Sequence, residues 1–208
     1  MAQPIGEPQN ARSRRTREAL LEAARTLIEE DGFDVMTLEA VAIRAGVSPR
    51  ALYLHFASRS ELLTALYRRL GESEDLAVSL ARVWSREDAV SALEEWAHHL
   101  ARSHPRILAI SRAIERARNA DEDAAALWQL TMRNWLTSCR RLADWLEAEH
   151  QLAAPWTPRT AADMLWTLMS WDVTERLTVD RRWSRKAYGT HLAAMLKATF
   201  VAPGAGVS

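Results

Sequence analysis

The stretch that decides the fold is TLEAVAIRAGVSPRALYLHF, residues 37–56. Thr37 is a favourable N-cap for a short helix that ends near Gly46, and Ser48 followed by Pro49 can open a second short helix. The turn between the two helices needs a residue that tolerates a positive φ, which Gly46 supplies. This pattern predicts a helix-turn-helix, a motif whose second helix lays its N-terminal side chains against base edges in the major groove. Short helix pairs are common in all-α proteins, so the motif alone is a weak indication of DNA binding.

Helical periodicity continues on both sides of this stretch. Leu20, Leu27 and Ile28 recur on one face before it, and Leu62 and Leu66 recur on one face after it. Further helices are expected near 74–84, 87–103, 105–119, 121–149, 158–178 and 184–201, with Pro105 and Pro158 at helix starts. The predicted fold is therefore all-α, with a small N-terminal bundle and a larger bundle behind it. The expected organisation is a flexible tail (1–11), a helix-turn-helix domain (12–71, with the motif at about 37–56), a larger helical domain (72–202) and a second tail (203–208).

Composition excludes several classes of protein. The 208 residues carry 27 Lys+Arg and 27 Asp+Glu, a formal net charge of +0, which argues against coating nucleic acid or membranes through bulk charge. Cys139 is the single cysteine, so an intramolecular disulfide and a cysteine-based structural zinc site are excluded. The N-terminus lacks the apolar core of a signal peptide, and no run reaches the ~20 apolar residues of a membrane span. The chain is expected to be soluble and cytoplasmic, with no membrane partner.

Residues 16–66, TREALLEAARTLIEEDGFDVMTLEAVAIRAGVSPRALYLHFASRSELLTAL, resemble the DNA-binding domain of the tetracycline-repressor (TetR) family of transcriptional regulators. The matching positions keep their spacing without a gap, and they are Ala23, Ala24, Leu27, Gly32, Phe33, Thr37, Val41, Ala42, Ala45 to Ser48, Leu52, Tyr53, His55, Phe56, Ser58, Leu62 and Leu63. The resemblance implies an N-terminal three-helix DNA-binding domain, a helical ligand-binding and dimerisation domain behind it, and a homodimer on a double-stranded DNA operator. The remaining three quarters of the chain match nothing as specific.

Two arginines depart from the family pattern. Arg50 stands where the family usually has Gly or another small residue, and Arg59 replaces the Lys that usually starts the fourth helix. Residues 1–70 contain ten Arg and no Lys against nine Asp or Glu, a net charge of +1. DNA binding would therefore depend on the placement of individual cations, namely Arg44, Arg50, Arg59 and the arm at Arg12–Arg17.

The predicted DNA-binding residues divide into base readers and phosphate contacts. Pro49, Arg50 and Ala51 lie at the exposed start of the second helix, where Arg50 could donate two hydrogen bonds to guanine O6 and N7. The resemblance places Tyr53 and His55 at positions that contact the phosphate backbone. The full set is Thr37, Arg44, Ser48, Pro49, Arg50, Ala51, Tyr53, His55 and Arg59. Simpler interpretations stay open, since Arg50 could be a solvated surface residue and Tyr53 a packing residue.

The second domain is rich in tryptophan, because all nine Trp lie at or after Trp84. Trp is rarely fully buried and its indole N–H needs a partner, so this aromatic surface predicts a pocket for a flat or hydrophobic small molecule. The predicted ligand-binding residues are Trp96, His99, Trp128, Met132, Trp135, Trp166 and Met169, with Trp145 and Trp171 in the same aromatic set. Polar residues that could orient a ligand are His99, Arg112, Glu115, Asn119 and Asp163. The plainer alternative is that the tryptophans form core and dimer seam.

Apolar stripes on the last two predicted helices are typical of a two-fold, four-helix seam between subunits, as the resemblance also implies. The predicted dimer-interface residues are Leu165, Leu168, Asp172, Tyr188, Leu192, Met195 and Leu196. The alternative is that the same stripes pack within one chain.

No metal set, cofactor loop or nucleophile–base spacing is visible, so neither a cofactor nor catalysis is expected. His98, His99 and His104 do not suggest a metal site, because neighbouring helical side chains point about 100° apart. The function implied is a ligand-responsive repressor that binds a palindromic operator as a homodimer and is released by a small, largely hydrophobic or aromatic molecule. The alternative is an all-α small-molecule-binding or scaffold protein without sequence-specific DNA binding.

Overall fold

The computed structural model describes residues 11–72 and 74–204. Within these ranges the backbone is predominantly helical, and the extended pairing is an isolated bridge between Leu152 and Val201. The prediction of an all-α fold is confirmed. The predicted tails lie outside the described residues except at their inner ends, where Ala11 already belongs to the first helix. No described helix combines the length and apolar character needed to cross a membrane.

The helices are joined by short connections. They are α1 (Ala11–Asp31), α2 (Leu38–Arg44), α3 (Pro49–Tyr53), α4 (Arg59–Gly71), α5 (Glu74–Trp84), α6 (Ala89–Ala117), α7 (Glu122–Ala148), α8 (Pro158–Leu168), α9 (Trp171–Glu175) and α10 (Arg185–Phe200), with a π-helical turn at Arg176–Asp180. The chain divides into two compact units. The N-terminal unit contains the chain up to Gly71 together with Ala109–Leu130, and the tryptophan-rich unit contains Glu72–Leu108 and the chain from Thr131 onward. Each unit therefore includes part of both long helices, α6 and α7.

Side-chain caps set the helix starts of the helix-turn-helix. Thr37 Oγ1 and Ser48 Oγ each accept a hydrogen bond from the backbone N–H three residues on, at 3.1 and 3.2 Å. Gly46 joins the two helices with a φ of 66°, a conformation that residues with a Cβ rarely adopt. The predicted caps and turn are thus confirmed, and α3 ends at Tyr53.

The core of the N-terminal unit is almost wholly apolar. Leu20 and Ile28 of α1 pack in one cluster with Leu52 and Phe56, and each of these four side chains is 2% exposed or less. Because Leu52 faces this core, the opposite side of the short helix α3 must face solvent. The core therefore fixes which side chains of α3 can meet a partner.

The prediction that Pro105 starts a helix is wrong. Pro105 lies inside α6, which runs unbroken through it. A proline removes one backbone hydrogen bond from a helix. Here Leu100 on one side and Ile110 on the other belong to the cores of the two units, so tertiary packing holds both halves of the helix.

The helix predicted over 158–178 is also wrong in its extent, because α8 ends at Leu168. Ser170 adopts extended backbone, with a ψ of 159°, and becomes the N-cap residue of the separate helix α9. The predicted start is confirmed, since Thr157 caps α8 in a reciprocal capping box with Thr160. A change in backbone at one polar residue therefore divides what periodicity suggested was continuous.

One close helix contact shapes the tryptophan-rich unit. Gly189 of α10 lies so near α6 that a Cβ would be 2.8 Å from His98 Nδ1 and 3.1 Å from Ala101 Cβ. The neighbouring Tyr188 is fully buried. Glycine is therefore required here by the close approach of two helices rather than by its φ angle.

Candidate DNA-binding surface and aromatic clusters

Helix α3 presents its first turn to solvent. Leu52 and Phe56 are buried, while Pro49 and Arg50 are exposed and Tyr53 is 52% exposed. A short helix on a rigid apolar base thus carries a ring, a guanidinium and a phenol that face outward. Such an arrangement can bring polar groups to a groove without reorganisation of the core.

Arg50 is the most available cation of the helix-turn-helix. Its side chain is exposed, and its guanidinium has no hydrogen bond or ion pair to any other described residue. Arg44, in contrast, is paired with Glu30 and lies 3.9 Å from Asp31 at the end of α1. Ala51 is half-buried and adds no bulk beside Arg50. Of the two arginines, Arg50 is therefore the one whose donors remain for a partner.

Thr37 and Ser48 can fill both predicted roles at once. Each hydroxyl oxygen accepts a hydrogen bond from a helix N–H, which leaves the hydroxyl hydrogen to donate elsewhere. Both side chains are exposed. Each can therefore cap its helix and donate to a phosphate oxygen in the same conformation.

Arg59 is engaged inside the N-terminal unit. Its guanidinium pairs with Asp121, donates to the backbone carbonyl of Phe33 at 2.8 Å, and lies over the Phe33 ring at 4.2 Å from the centroid. The Arg59 side chain is only 22% exposed. Its two terminal nitrogens and its face are engaged, and its Nε is buried without a partner, so this guanidinium is a poorer phosphate ligand than its sequence position suggests. In the structure, Arg59 ties the start of α4 to the turn after α1 and to the residue before α7.

His55 is also turned inward, in disagreement with a phosphate contact by its side chain. The residue is 7% exposed, and burial together with the nearby charge of Arg17 lowers the pKa of its imidazole. His55 is therefore neutral at physiological pH and offers no charge to a phosphate. Arg17, expected in a basic arm, donates to the His55 carbonyl at 3.2 Å and lies 4.4 Å above the Phe56 ring. Arg17 thus braces the end of the helix-turn-helix.

Two exposed apolar residues of this motif were missed by sequence reasoning. Ile43 on α2 is 79% exposed, and Leu54 after α3 is 37% exposed. Ile43 lies outside the inward stripe that contains Val41 and Ala42, and that departure from periodicity was the available signal. Apolar side chains on such a surface can contact the methyl group of thymine.

In the tryptophan-rich unit, three predicted ligand residues lie together. The indole N–H of Trp96 donates to Met169 Sδ at 3.0 Å, and its ring centroid is 5.4 Å from that of His99. His99 Nδ1 is 3.0 Å from Ser79 Oγ. Burial, followed by the charge of Arg102, lowers the pKa of His99 to about 4. These polar atoms find partners within the unit, as expected for core rather than for an open site.

A buried carboxylate belongs to the same region. Glu95 is 8% exposed and pairs with Arg86 and, at 2.5 Å, with Arg102. Burial raises the pKa of Glu95, but hydrogen bonds from Arg102 and Arg86 outweigh burial and lower it overall. The carboxylate is therefore charged and engaged by two guanidinium groups. This pair serves the fold and leaves no free charge for a ligand.

A second set of rings, the His104 cluster, is formed by His104, Trp135 and Trp171. The ring centroids are 4.2 Å apart for His104 and Trp171, 5.2 Å for His104 and Trp135, and 5.1 Å for the two indoles. His104 Nδ1 is 2.8 Å from Thr174 Oγ1, which is 3.0 Å from the Tyr188 hydroxyl. Burial is the main cause that lowers the pKa of His104 to about 3. The cluster is therefore an uncharged aromatic site in the interior of the unit.

The other predicted ligand residues do not join one site. Trp128 belongs to the N-terminal unit, where Arg118 lies 4.8 Å above its ring. Met132 and Trp166 are half-buried residues of the tryptophan-rich unit. The polar candidates are distributed as follows: Arg112 and Glu115 pair with each other at 2.6 Å in the N-terminal unit, Asn119 is exposed in that unit, and Asp163 is exposed on α8. The predicted set is therefore divided between the two units.

Most of the predicted dimer interface is core of a single chain. Four of its residues are 5% exposed or less in one protomer, and these are Leu165, Tyr188, Leu192 and Leu196. They offer no surface to a partner subunit, because α8 and α10 turn these stripes into the core of the tryptophan-rich unit. Leu168 is half-buried, whereas Asp172 and Met195 are exposed. For the four buried residues, packing within the chain is the correct alternative.

Comparison with known proteins identifies relatives that match part of the chain. Residues 20–66 match the model of the family described as bacterial regulatory proteins, tetR family. The HTH-type transcriptional regulator TtgR of Pseudomonas putida is 38% identical over 78 residues, which cover 38% of this chain and 36% of that protein. Rv0681 of Mycobacterium tuberculosis, an uncharacterized HTH-type transcriptional regulator, is 33% identical over 91 residues, which cover 40% of this chain and 41% of that protein. The chain thus matches about two fifths of the length of these relatives, and the resemblance seen in residues 16–66 is confirmed.

Solved structures share the fold over most of the chain. NalD, the secondary repressor of the MexAB-OprM multidrug efflux pump in Pseudomonas aeruginosa, has a TM-score of 0.72 at 22% identity, covering 93% of this chain and 99% of that one. A complex of SmeT with triclosan has a TM-score of 0.71 at 23% identity, covering 92% of this chain and 94% of that one. At these identities the likeness establishes the fold.

Proposed function

Because residues 20–66 match the tetR family model, we propose that the chain is a TetR-family regulator and, more specifically, a ligand-responsive transcriptional repressor of the cytoplasm. It binds a palindromic operator as a homodimer, and a small, largely hydrophobic or aromatic molecule releases it. One observation carries this proposal: the first turn of α3 is exposed above buried Leu52, and the Arg50 guanidinium there has no partner among the described residues.

In the proposed complex, α3 lies in the major groove. Arg50 donates two hydrogen bonds to guanine O6 and N7, a contact worth about 1–3 kcal/mol of discrimination between bases. Thr37, Ser48 and Tyr53 donate their hydroxyl hydrogens to phosphate oxygens and so fix the register on the duplex. Arg44 adds charge next to the backbone. Base reading by one arginine and positioning by neutral hydroxyls suit a domain with little net positive charge.

The proposed homodimer uses the outer faces of the last long helices. Met164 on α8 and Met195 on α10 are 37% and 38% exposed, and the half-buried Leu168 lies one helical turn after Met164. Exposed methionines on helices are adaptable contacts for a second helix pair. A two-fold axis through these faces would give two reading helices and hence a symmetric operator.

Two proteins of similar fold support the proposals that this chain is a repressor and that it binds an effector. NalD is a repressor of a multidrug efflux pump, and SmeT forms a complex with triclosan. By analogy, the tryptophan-rich unit of this chain holds an aromatic effector. The effector acts by binding one arrangement of the dimer better than another, and its effect on DNA affinity is bounded by that difference. The curated relatives are transcriptional regulators, and we propose no catalytic activity.

The test is selection of bound sequences from a random duplex pool by the full chain at physiological salt. A two-fold symmetric consensus is expected, with a half-site spacing near one helical turn of DNA or a multiple of it. Recovery of no consensus, with binding that vanishes as the salt concentration rises, would leave only electrostatic contact. That result would favour the alternative of a small-molecule-binding or scaffold protein.

Arg50→Ala sharpens this test on the selected site. Loss of the bidentate contact should weaken operator binding by roughly 5- to 150-fold and relax the preference at one base pair, while non-specific affinity stays within a few-fold. Arg68→Ala is a matched control, because Arg68 is an exposed arginine on α4 of the same unit. Equal affinities of parent and Arg50→Ala for the consensus would contradict the proposed docking.

A further inference from the structure

The His104 cluster contains two hydrogen-bond donors that the fold leaves unused. The indole Nε1 atoms of Trp135 and Trp171 are buried and have no partner in the described part of the chain. Trp171 is 5% exposed, so solvent does not serve its N–H. Both rings contact the same imidazole and each other. Two unsatisfied donors are therefore concentrated in one interior site.

Two other tryptophans of the same unit have satisfied indole donors, whereas Trp166, outside the His104 cluster, also has a buried Nε1 without a partner among the described residues. Trp145 Nε1 donates to Glu149 Oε1 at 2.6 Å, and Trp156 Nε1 donates to the Thr199 carbonyl at 2.9 Å. A buried donor without a partner destabilises a protein, so two of them on rings in contact need an explanation. A bound acceptor would supply one.

The polar groups hydrogen-bonded in the His104 cluster are uncharged. His104 is neutral at physiological pH because burial lowers its pKa, and its Nδ1 is bonded to the Thr174 hydroxyl. The Thr174 hydroxyl is bonded in turn to the Tyr188 hydroxyl. An anion in this site would lose its hydration without gaining a counter-charge, which is unfavourable. The surroundings therefore select a neutral molecule.

We propose that the effector of this protein is an uncharged planar aromatic molecule with a hydrogen-bond acceptor, such as a carbonyl oxygen, that accepts from Trp135 Nε1 and Trp171 Nε1. Its ring stacks against the His104 cluster. The proposal rests on the proposed function in that the tryptophan-rich unit binds the effector. It goes further by naming the two donors and the chemical class they select, and His104 was not among the predicted ligand residues.

Isothermal titration of the full chain with three naphthalene derivatives tests the class. The probes are 1-acetonaphthone, which has a neutral acceptor, naphthalene, which has none, and 1-naphthoate, which is anionic. The ketone should bind roughly three- to tenfold more tightly than naphthalene for each donor it engages, and more tightly than 1-naphthoate. Equal affinities for the ketone and naphthalene, preference for the anion, or no binding of any probe at its solubility limit would each overturn the proposal.

Removal of the donors tests the residues. Trp135→Phe and Trp171→Phe keep an aromatic ring but delete the N–H, so each should weaken the ketone by roughly three- to tenfold more than it weakens naphthalene. Trp145→Phe is the matched control, because its N–H already has a carboxylate partner and its loss should leave the preference for the ketone unchanged. Equal losses for both probes would mean that ring area, not hydrogen bonding, holds the ligand.

A measurement on the parent protein removes the dependence on variants that fold. In ¹⁵N-labelled protein, the ketone should shift two assigned indole N–H resonances downfield, those of Trp135 and Trp171, whereas naphthalene should not. Shifts of other indoles instead would overturn the assignment. The outcome is separable from the proposed function. A symmetric operator without preference for the ketone would contradict only the proposed effector class. Preference for the ketone without a selected operator would contradict only the proposed repressor function.

Discussion

The two units bury different kinds of side chain. In the N-terminal unit the described buried residues are apolar apart from His55, and the guanidinium groups of Arg17 and Arg59 lie at the edge of the core over aromatic rings. The tryptophan-rich unit instead buries a set of polar groups, namely Ser79, Glu95, His99, Ser103, His104 and Thr174. The first unit supports side chains that face solvent on an apolar core, whereas the second has polar side chains within its core.

This difference indicates where each unit can recognise a partner. Polar groups are costly to bury unless they are paired, so a unit that buries many of them must satisfy each or leave a site. Around Glu95 and His99 the pairing is complete in the contacts described, but in the His104 cluster two indole donors remain. The N-terminal unit can therefore bind a partner through side chains on its surface, whereas the tryptophan-rich unit can bind one through polar groups in its interior.

The largest expected effect is a loss of folding stability at acid pH, which arises from the polar groups buried in the tryptophan-rich unit. His99 and His104 have pKa values of about 4 and about 3 in the folded chain, whereas an unfolded histidine titrates near 6.5. Below pH ~6.5 these two histidines are protonated in the unfolded chain but stay neutral in the folded chain. The free energy of unfolding should thus be insensitive to these groups above about pH 7 and fall by roughly 4 kcal/mol at about pH 5. Urea unfolding across this range measures the loss.

Replacement of both histidines tests the origin of that loss. The double variant His99→Gln, His104→Gln should be less stable at neutral pH but much less sensitive to acid. His191→Gln is the matched control, because His191 is exposed and should leave the pH dependence unchanged. His55 contributes in the same direction, since its pKa is also lowered. An undiminished acid loss in the double variant would place the sensitivity outside the tryptophan-rich unit and break the comparison.

Arg59 should be the next largest effect, and it concerns the N-terminal unit. Arg59→Ala removes the pair with Asp121, the bond to the Phe33 carbonyl and the contact with the Phe33 ring. We expect a loss of about 2–4 kcal/mol in the free energy of unfolding, because a partly buried carboxylate also loses its partner. Arg50→Ala, at an exposed site, should change stability by less than about 0.5 kcal/mol.

The opposite outcome for Arg59 would also be informative. If Arg59→Ala kept its stability but lowered the salt dependence of DNA binding by about one unit, the guanidinium would be a phosphate contact. The position would then act outward, as the sequence position suggests, and the internal partners seen here would not persist on DNA.

The smallest expected effect comes from the helix contact at Gly189. Gly189→Ala places a Cβ against His98 Nδ1 and Ala101 Cβ, and this overpacking should exceed the gain in helix propensity, for a net loss of about 1 kcal/mol. In a His98→Ala background the nearest atom is gone and the 3.1 Å contact with Ala101 Cβ remains, so the same substitution should destabilise the chain less. Thermal unfolding of the four proteins of this cycle measures the coupling. Additive effects would mean that the two helices do not approach this closely.

Prediction from sequence succeeded where structure is local. The caps at Thr37 and Ser48 and the turn at Gly46 each depend on atoms a few residues apart, so residue type was enough to locate the helix-turn-helix. The stripes of α8 and α10 were recognised as apolar, but periodicity could not say whether they face the same chain or another. Leu165 and Leu196 turned out to be core because other helices of the same unit cover them.

By itself the sequence determined that this protein is all-α, where its helix-turn-helix lies and which side of α3 faces outward, because these follow from caps, a glycine and helical periodicity. Only the tertiary structure decided which arginine is available. Arg50 and Arg59 have the same chemistry. Asp121, 62 residues from Arg59, pairs with the Arg59 guanidinium, whereas the Arg50 guanidinium stays exposed. The two unsatisfied indole donors of the His104 cluster were likewise invisible in the sequence, because whether a donor is satisfied depends on atoms brought together from distant helices.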